Sequence, residues 1–183
     1  MKYFMFLLII ITALSCNRKD PCEEFYFSNE YKAYIFFPTG SYWVYSDTTF
    51  NVTDSVNLQY QNVTLNDYCD TRTEFEEILE QRYFSSFFYD GSPYLSVWGH
   101  ASHQYYNQEQ DHPMGVFTDN ANFYDTMTVN NVLYHDVRAV QFSQGTAEFY
   151  WAKNIGLIKK VMPYDYQSDS VVNFELVRYH INN

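Results

Sequence analysis

Phe123-Tyr124-Asp125-Thr126-Met127-Thr128-Val129-Asn130-Asn131-Val132-Leu133-Tyr134-His135-Asp136-Val137-Arg138-Ala139-Val140-Gln141-Phe142 decides the fold class. Two runs rich in aromatic and β-branched residues flank a pair of asparagines. Such residues suit a pleated, half-buried surface, and Asn tolerates the left-handed backbone that a two-residue reversal requires, so the stretch predicts a hairpin. The same grammar continues on both sides. Toward the C-terminus, Ala147 to Lys153 and Leu157 to Met162 flank the turn Asn154-Ile155-Gly156, and a polar loop over Tyr164 to Asp169 leads to Val171 to Ile181. In that last run Val172, Phe174 and Leu176 fall on one face and alternate with Val171, Asn173 and Glu175, the period of a strand with one buried side.

Toward the N-terminus, Lys32 to Phe37 reads as a strand, Pro38-Thr39-Gly40 as a turn and Ser41 to Asp47 as a second strand. Val56, Leu58 and Tyr60 alternate with Asn57, Gln59 and Gln61, so Val56 to Leu65 pairs back as a hairpin. Asp90-Gly91 is a further hairpin turn, with Tyr94 to Trp98 returning. Asp70 to Phe84 supports two readings. Phe75, Ile78, Leu79 and Tyr83 have helical spacing, and Thr73 with Glu76 has the spacing of a capping box; extension of the flanking strands would instead make one long strand. Gly99 to Phe117 has no sustained period and reads as the longest loop. The expectation is a mainly β chain: a single antiparallel meander of about eight to ten strands, curved or barrel-like, with one short helix near residues 73–83 if the helical reading holds.

The N-terminus is of another kind. Lys2 precedes an apolar run from Tyr3 to Ile11, and Ala13-Leu14-Ser15 precedes Cys16. A charged start, a short apolar middle and small residues before a cleavage point form an export signal, too short for comfortable permanent membrane spanning. Ala13-Leu14-Ser15-Cys16 resembles the lipobox of bacterial lipoproteins, with Ala13 where the pattern usually has Leu. The resemblance implies removal of residues 1–15, lipidation of Cys16 with palmitate-type acyl chains, a tether over 16–24 and a single domain over 25–183. The alternative is an ordinary secretory leader cleaved nearby, which leaves Cys16 as a free thiol. Phe37-Pro38-x-Gly40-x-x-Trp43-Val44-Tyr45 and Tyr150-x-Ala152-Lys153-Asn154-Ile155-Gly156-Leu157-Ile158-Lys159-Lys160 are similar to patterns in small uncharacterised lipoproteins of Bacteroidetes. They imply lineage and compartment and transfer no catalytic residue. Asn17, in place of an Asp after the cysteine, directs the expectation to the outer membrane; Arg18-Lys19-Asp20 partly resembles the tether of surface-exposed members, so the protein faces the periplasm or the cell surface.

Charge and cysteines narrow the partners. The net charge is −11, which disfavours nucleic acid and an anionic lipid surface. Membrane attachment therefore falls to acyl chains at about 0.8 kcal/mol per buried methylene. With Cys16 lipidated, Cys22 and Cys69 remain as one disulfide, worth ~4 kcal/mol by chain-entropy reasoning, or as two thiols.

No nucleophile elbow, phosphate loop or dinucleotide fingerprint is present, so neither an enzyme nor a cofactor is expected. His100, His103 and His112, with Asp111, offer ligand types suited to zinc, but their spacing is not that of a metal motif and solvated loop histidines explain them as well. Glu74, Glu76, Glu77 and Glu80 read as the solvated side of an amphipathic element. Aromatics make up 21% of the chain. Most suit a core, and Tyr105, Tyr106, Tyr164 and Tyr166 are the candidates for stacking on a ligand because they sit in loops. Asp47-Thr48, Asp54-Ser55, Asp125-Thr126 and Asp169-Ser170 resemble acceptor sites for Bacteroidetes O-glycosylation at Thr48, Ser55, Thr126 and Ser170; Asp before Ser or Thr also marks turns. The expected partners are the membrane, through the lipid anchor, and a glycan or envelope protein bound without catalysis. A carrier of a lipid or other hydrophobic ligand in a β cavity is the alternative, and an envelope hydrolase the third reading.

Overall fold

The computed structural model describes residues 22–67, 69, 74–87, 94–101, 121–141, 147–164 and 170–182. The Asp90-Gly91 turn and most of the expected long loop lie outside these residues. In order, the elements are β1 (Glu23–Phe25), α1 (Asn29–Ile35), β2 (Tyr42–Asp47), β3 (Val52–Asp67), β4 (Glu74–Ser85), β5 (Tyr94–His100), β6 (Asn122–Val129), β7 (Val132–Gln141), β8 (Glu148–Ala152), β9 (Gly156–Pro163) and β10 (Val171–His180). Among the described residues, no helix is long and apolar enough to cross a membrane.

All ten strands join one curved sheet that does not close into a barrel. Its order is β1-β4-β3-β2-β10-β9-β8-β7-β6, with β5 also paired to β4. One edge of β4 is therefore shared. β1 lies parallel to it from Glu23↔Glu74 to Phe25↔Glu76, and β5 lies antiparallel from Ile78↔His100 to Phe84↔Tyr94. The expectation of a single antiparallel meander needs correction on two counts: β1 makes the sheet mixed, and β2–β5 and β6–β10 are two meanders. They are zipped together by the antiparallel pairing of β2 with β10, from Glu175↔Ser46 to His180↔Tyr42.

The hairpin at Asn130-Asn131 forms as expected. Both asparagines have positive φ, 47° and 63°, the backbone that a two-residue turn between twisted strands demands. Val172, Phe174 and Leu176 are buried together, in line with their period-2 spacing. They share a core with Trp43 and Tyr45 of β2, Leu58 of β3, Leu79 and Tyr83 of β4 and Ile158 of β9. Each large apolar side chain buried this way contributes about 1.5–3 kcal/mol.

Two local readings are overturned. Lys32 to Phe37 is not a strand, because Asn29–Ile35 is the only helix among the described residues. Ser28 caps it, its Oγ accepting from the Tyr31 amide at 3.0 Å, and Tyr31, Tyr34 and Ile35 bury one face at i, i+3 and i+4. Aromatic and β-branched content mimicked a strand there. Conversely, no helix forms near 73–83: residues 74–85 are strand β4. It pairs with β3 from Val56↔Ser85 to Asp67↔Phe75 and with β5 on its other edge, and ladder bonds on both sides outweigh a marginal helical pattern.

Helix α1 ties the two meanders. The Tyr34 hydroxyl donates to Asp136 O of β7 at 2.9 Å, Gln81 Nε2 of β4 donates to Ile35 O at 2.7 Å, and Asn154 N in the β8–β9 turn donates to Ala33 O at 2.6 Å. The first described residues are also fastened. Cys22 is bonded to Cys69 with Cα atoms 5.6 Å apart, and β1 starts at Glu23, inside the expected 16–24 tether.

Gly156 closes the β8–β9 turn at φ +95°, where a Cβ would stand 3.1 Å from Phe37 Cε2 and 3.2 Å from Trp43 Nε1. Both backbone strain and this contact oppose a side chain. Gly156→Ala should lower unfolding free energy by about 2 kcal/mol in urea titration; an unchanged midpoint would mean that the turn relaxes freely.

Candidate functional site

Cys16, Tyr105, Tyr106, Tyr166, His103, His112 and Asp111 lie outside the described residues. His100 is at the end of β5, its Nδ1 3.4 Å from Glu76 Oε2. Among the described residues, no group of three His, Cys, Asp or Glu side chains could hold a metal ion. Glu76 and Glu77 are not the solvated side of an amphipathic element. Glu76 is buried, and Glu77 Oε2 accepts from the Phe27 amide at 2.8 Å while pairing with Lys32 at 3.3 Å. Glu80 pairs with Arg82 at 2.9 Å.

The Asp-Ser/Thr dipeptides divide by what the acid does. Thr48, Ser55, Thr126 and Ser170 are all exposed, but Asp47 and Asp54 are buried. Asp47 builds the β2–β3 turn: its Oδ1 accepts from the amides of Thr49 at 2.6 Å and Phe50 at 3.1 Å, and its Oδ2 from the Asn173 amide on β10 at 2.5 Å. This turn has a consequence at the surface, because it sets Phe50.

Phe50 stacks on Tyr164, with ring centroids 5.3 Å apart and planes inclined by 29°. Tyr164 follows β9, and its amide donates to Ser170 O at 2.9 Å, which folds the chain back toward β10. Both residues stay 39% exposed, so the stacked pair reaches the surface. Phe87 meets Tyr164 edge-on at 6.0 Å and Phe174 edge-on at 4.9 Å, so an aromatic file runs from this pair into the core. The sequence singles out Tyr164 as a candidate from its loop position. It does not single out Phe50, which only the fold of the Asp47 turn brings alongside.

At the inner end of the file lies an ion pair that the sequence did not announce. Lys160 of β9 pairs through Nζ with Asp54 Oδ2 of β3 across the two intervening strands, β10 and β2. Their side chains are 9% and 0% exposed. Asp54 Oδ1 accepts from Ser85 Oγ at 2.8 Å, the Phe87 amide at 3.0 Å and Ser86 Oγ at 3.3 Å. Lys160 Nζ stands 5.0 Å from the centre of the Tyr45 ring and 4.9 Å from that of Phe174. An ammonium between aromatic faces is held by the ring quadrupoles as well as by its carboxylate. The weak signal for this cluster was a lysine, Lys160, at a position of β9 in register with Phe174, so that the polar-out alternation fails there.

No family model, curated protein or solved structure matches the chain.

Burial by itself would raise the Asp47 carboxyl, but bonds from the Asn173, Phe50 and Thr49 amides and the Thr49 side chain outweigh it and hold the group below its ordinary 3.8. A depressed folded-state value gives stability that is complete above 3.8 and lost as pH falls through the folded value. Asp47→Asn should therefore destabilise the protein near neutrality and flatten the acid limb in urea midpoints measured from pH ~6 to ~2. Parallel limbs for the two proteins would assign the acid sensitivity to other carboxylates.

Proposed function

We propose that the chain is an exported, lipid-anchored envelope protein that binds a glycan or a protein partner without catalysing a reaction, and that the Phe50–Tyr164 pair is its contact surface. The observation that carries the reading is the stacked, half-open pair itself. Two large rings fixed against one another lose little freedom on binding, and their apolar faces suit the C–H face of a sugar or a side chain of a partner. The turn beneath them is held by a buried carboxylate and the rings behind them by core packing, so the platform is rigid before it meets anything.

The leader-like start and the lipobox-like Ala13-Leu14-Ser15-Cys16 support a location in the envelope, at the outer membrane, facing the periplasm or outside. The net charge of −11 leaves attachment to the acyl chains. Binding on the outside is favoured over carriage of a hydrophobic ligand because the inner face is occupied by α1 and by the fully buried Tyr34, Ile35, Tyr45 and Phe174.

Two measurements test the two halves of this reading. Cys16→Ser should abolish incorporation of labelled palmitate and release the protein from the membrane fraction, and retained label would remove the anchor from the reading. Phe50→Ala and Tyr164→Ala should each weaken retention on immobilised envelope glycans or on a captured envelope partner about tenfold, with melting temperature little changed. Undiminished retention by both variants would discard this surface.

A further inference from the structure

We propose that Lys160 and Asp54 become joined by an intramolecular amide bond after the chain folds. The cluster has the parts that such a condensation needs. The amine is held against the carboxyl by direct contact, inside a site from which the rings of Tyr45 and Phe174 and the burial of both residues exclude water. Fixing two reacting groups in contact removes the entropy loss of an encounter, one of the obstacles to amide formation between separate molecules.

The two carboxyl oxygens have different surroundings, and the difference matches two roles. Oδ1 faces three donors, Ser85 Oγ, the Phe87 amide and Ser86 Oγ. Donors gathered on one oxygen stabilise the negative charge that develops there when a nucleophile adds to the carbon. Oδ2 faces only the lysine among the contacts described above, so it is the oxygen placed to leave.

The step balances without any other reagent. One ammonium proton passes to Oδ2, giving an amine and a carboxylic acid. Lys160 Nζ then adds to Asp54 Cγ, the charge moving to Oδ1. As Oδ1 re-forms its double bond to Cγ, the Cγ–Oδ2 bond breaks, and Oδ2 leaves as water with its own proton and a second one from nitrogen. The nitrogen keeps one hydrogen. An ammonium and a carboxylate thus become one neutral amide and one water molecule, with no oxidation or reduction. The product also removes two charges from an interior where each is costly to hold.

The bond would tie β3 to β9 across β2 and β10, and so fasten the two meanders together over their seam. The Cys22–Cys69 disulfide cannot do this, since it joins residues within the N-terminal half. An amide also survives reducing conditions that would open a disulfide.

Mass spectrometry of the full chain, expressed with its leader, purified, reduced and denatured, decides the matter. The polypeptide should be one water lighter than its processed sequence, with any lipid it carries, requires, and protease digestion should yield the segments carrying Asp54 and Lys160 as a single branched peptide. Lys160→Arg, which keeps the charge but offers a poor nucleophile, should restore the full sequence mass. A wild-type chain at full mass with separate linear peptides overturns the proposal, whether or not the variant folds. So does a lost water without the branched peptide, as cyclisation of Asp90-Gly91 would give. The branched peptide and the mass difference from Lys160→Arg beyond the substitution itself are read the same way whether or not Cys16 is lipidated, and neither depends on the Phe50–Tyr164 surface.

Discussion

The curvature of the sheet rests on two hydrogen bonds made by the inward rings of β2. Trp43 Nε1 donates to Ile155 O at 2.6 Å, and the Tyr45 hydroxyl donates to Leu157 O at 2.8 Å. A buried indole or phenol usually finds an acceptor, since leaving it unpaired costs about 1–3 kcal/mol. Here one acceptor lies in the β8–β9 turn and the other at the start of β9, beyond the intervening β10, so the satisfied rings hold the curved sheet closed over them. Burial pushes the Tyr45 hydroxyl well above its ordinary value of 10.0, which keeps it a donor. Gly156 allows the approach, because Phe37 and Trp43 occupy the space a side chain would take. The stretches Phe37 to Tyr45 and Tyr150 to Lys160 are thus one contact in space, and their residues serve the architecture.

Helix α1 completes what the rings begin. It is too short for much stability of its own, since isolated helices under ~12 residues are marginal. Its backbone carbonyls are tied to both halves of the sheet through Gln81 and Asn154, and its buried face fills the hollow. Gln81 is fully buried yet satisfied: its Nε2 donates to Ile35 O and to Gln61 Oε1, and its Oε1 accepts from the Tyr83 hydroxyl. A polar network of this kind specifies position as well as contributing energy, because any shift of the helix would strand a buried amide.

Much of the fold was legible because its signals are local. The asparagine pair at 130–131 needs only its own backbone preference, and Val172, Phe174 and Leu176 need only a period. The errors occurred where local preference competes with distant partners. Asp70 to Phe84 has helical spacing, and only the ladders from β3 and β5 make it a strand. Tyr31, Tyr34 and Ile35 have helical spacing too, with a capping Ser28 before them, but their residue types resemble a strand and concealed it. The site shows the same division. Tyr164 could be singled out from its loop, whereas Phe50 and the Asp54–Lys160 pair depend on register across several strands, which no short window contains.

The place of β10 has a consequence for how the chain comes into being. It is the last strand of the described residues and yet lies in the interior of the sheet, between β2 and β9. A chain that emerges N-terminus first, from a ribosome or through a membrane channel, exposes β2 long before its central neighbour exists. Until Val171 to His180 arrives, one flank of the early meander has no partner and the rings of Tyr45 and Trp43 have no enclosed interior. Completion is therefore postponed to the end of emergence, and the long-range closure makes it slow.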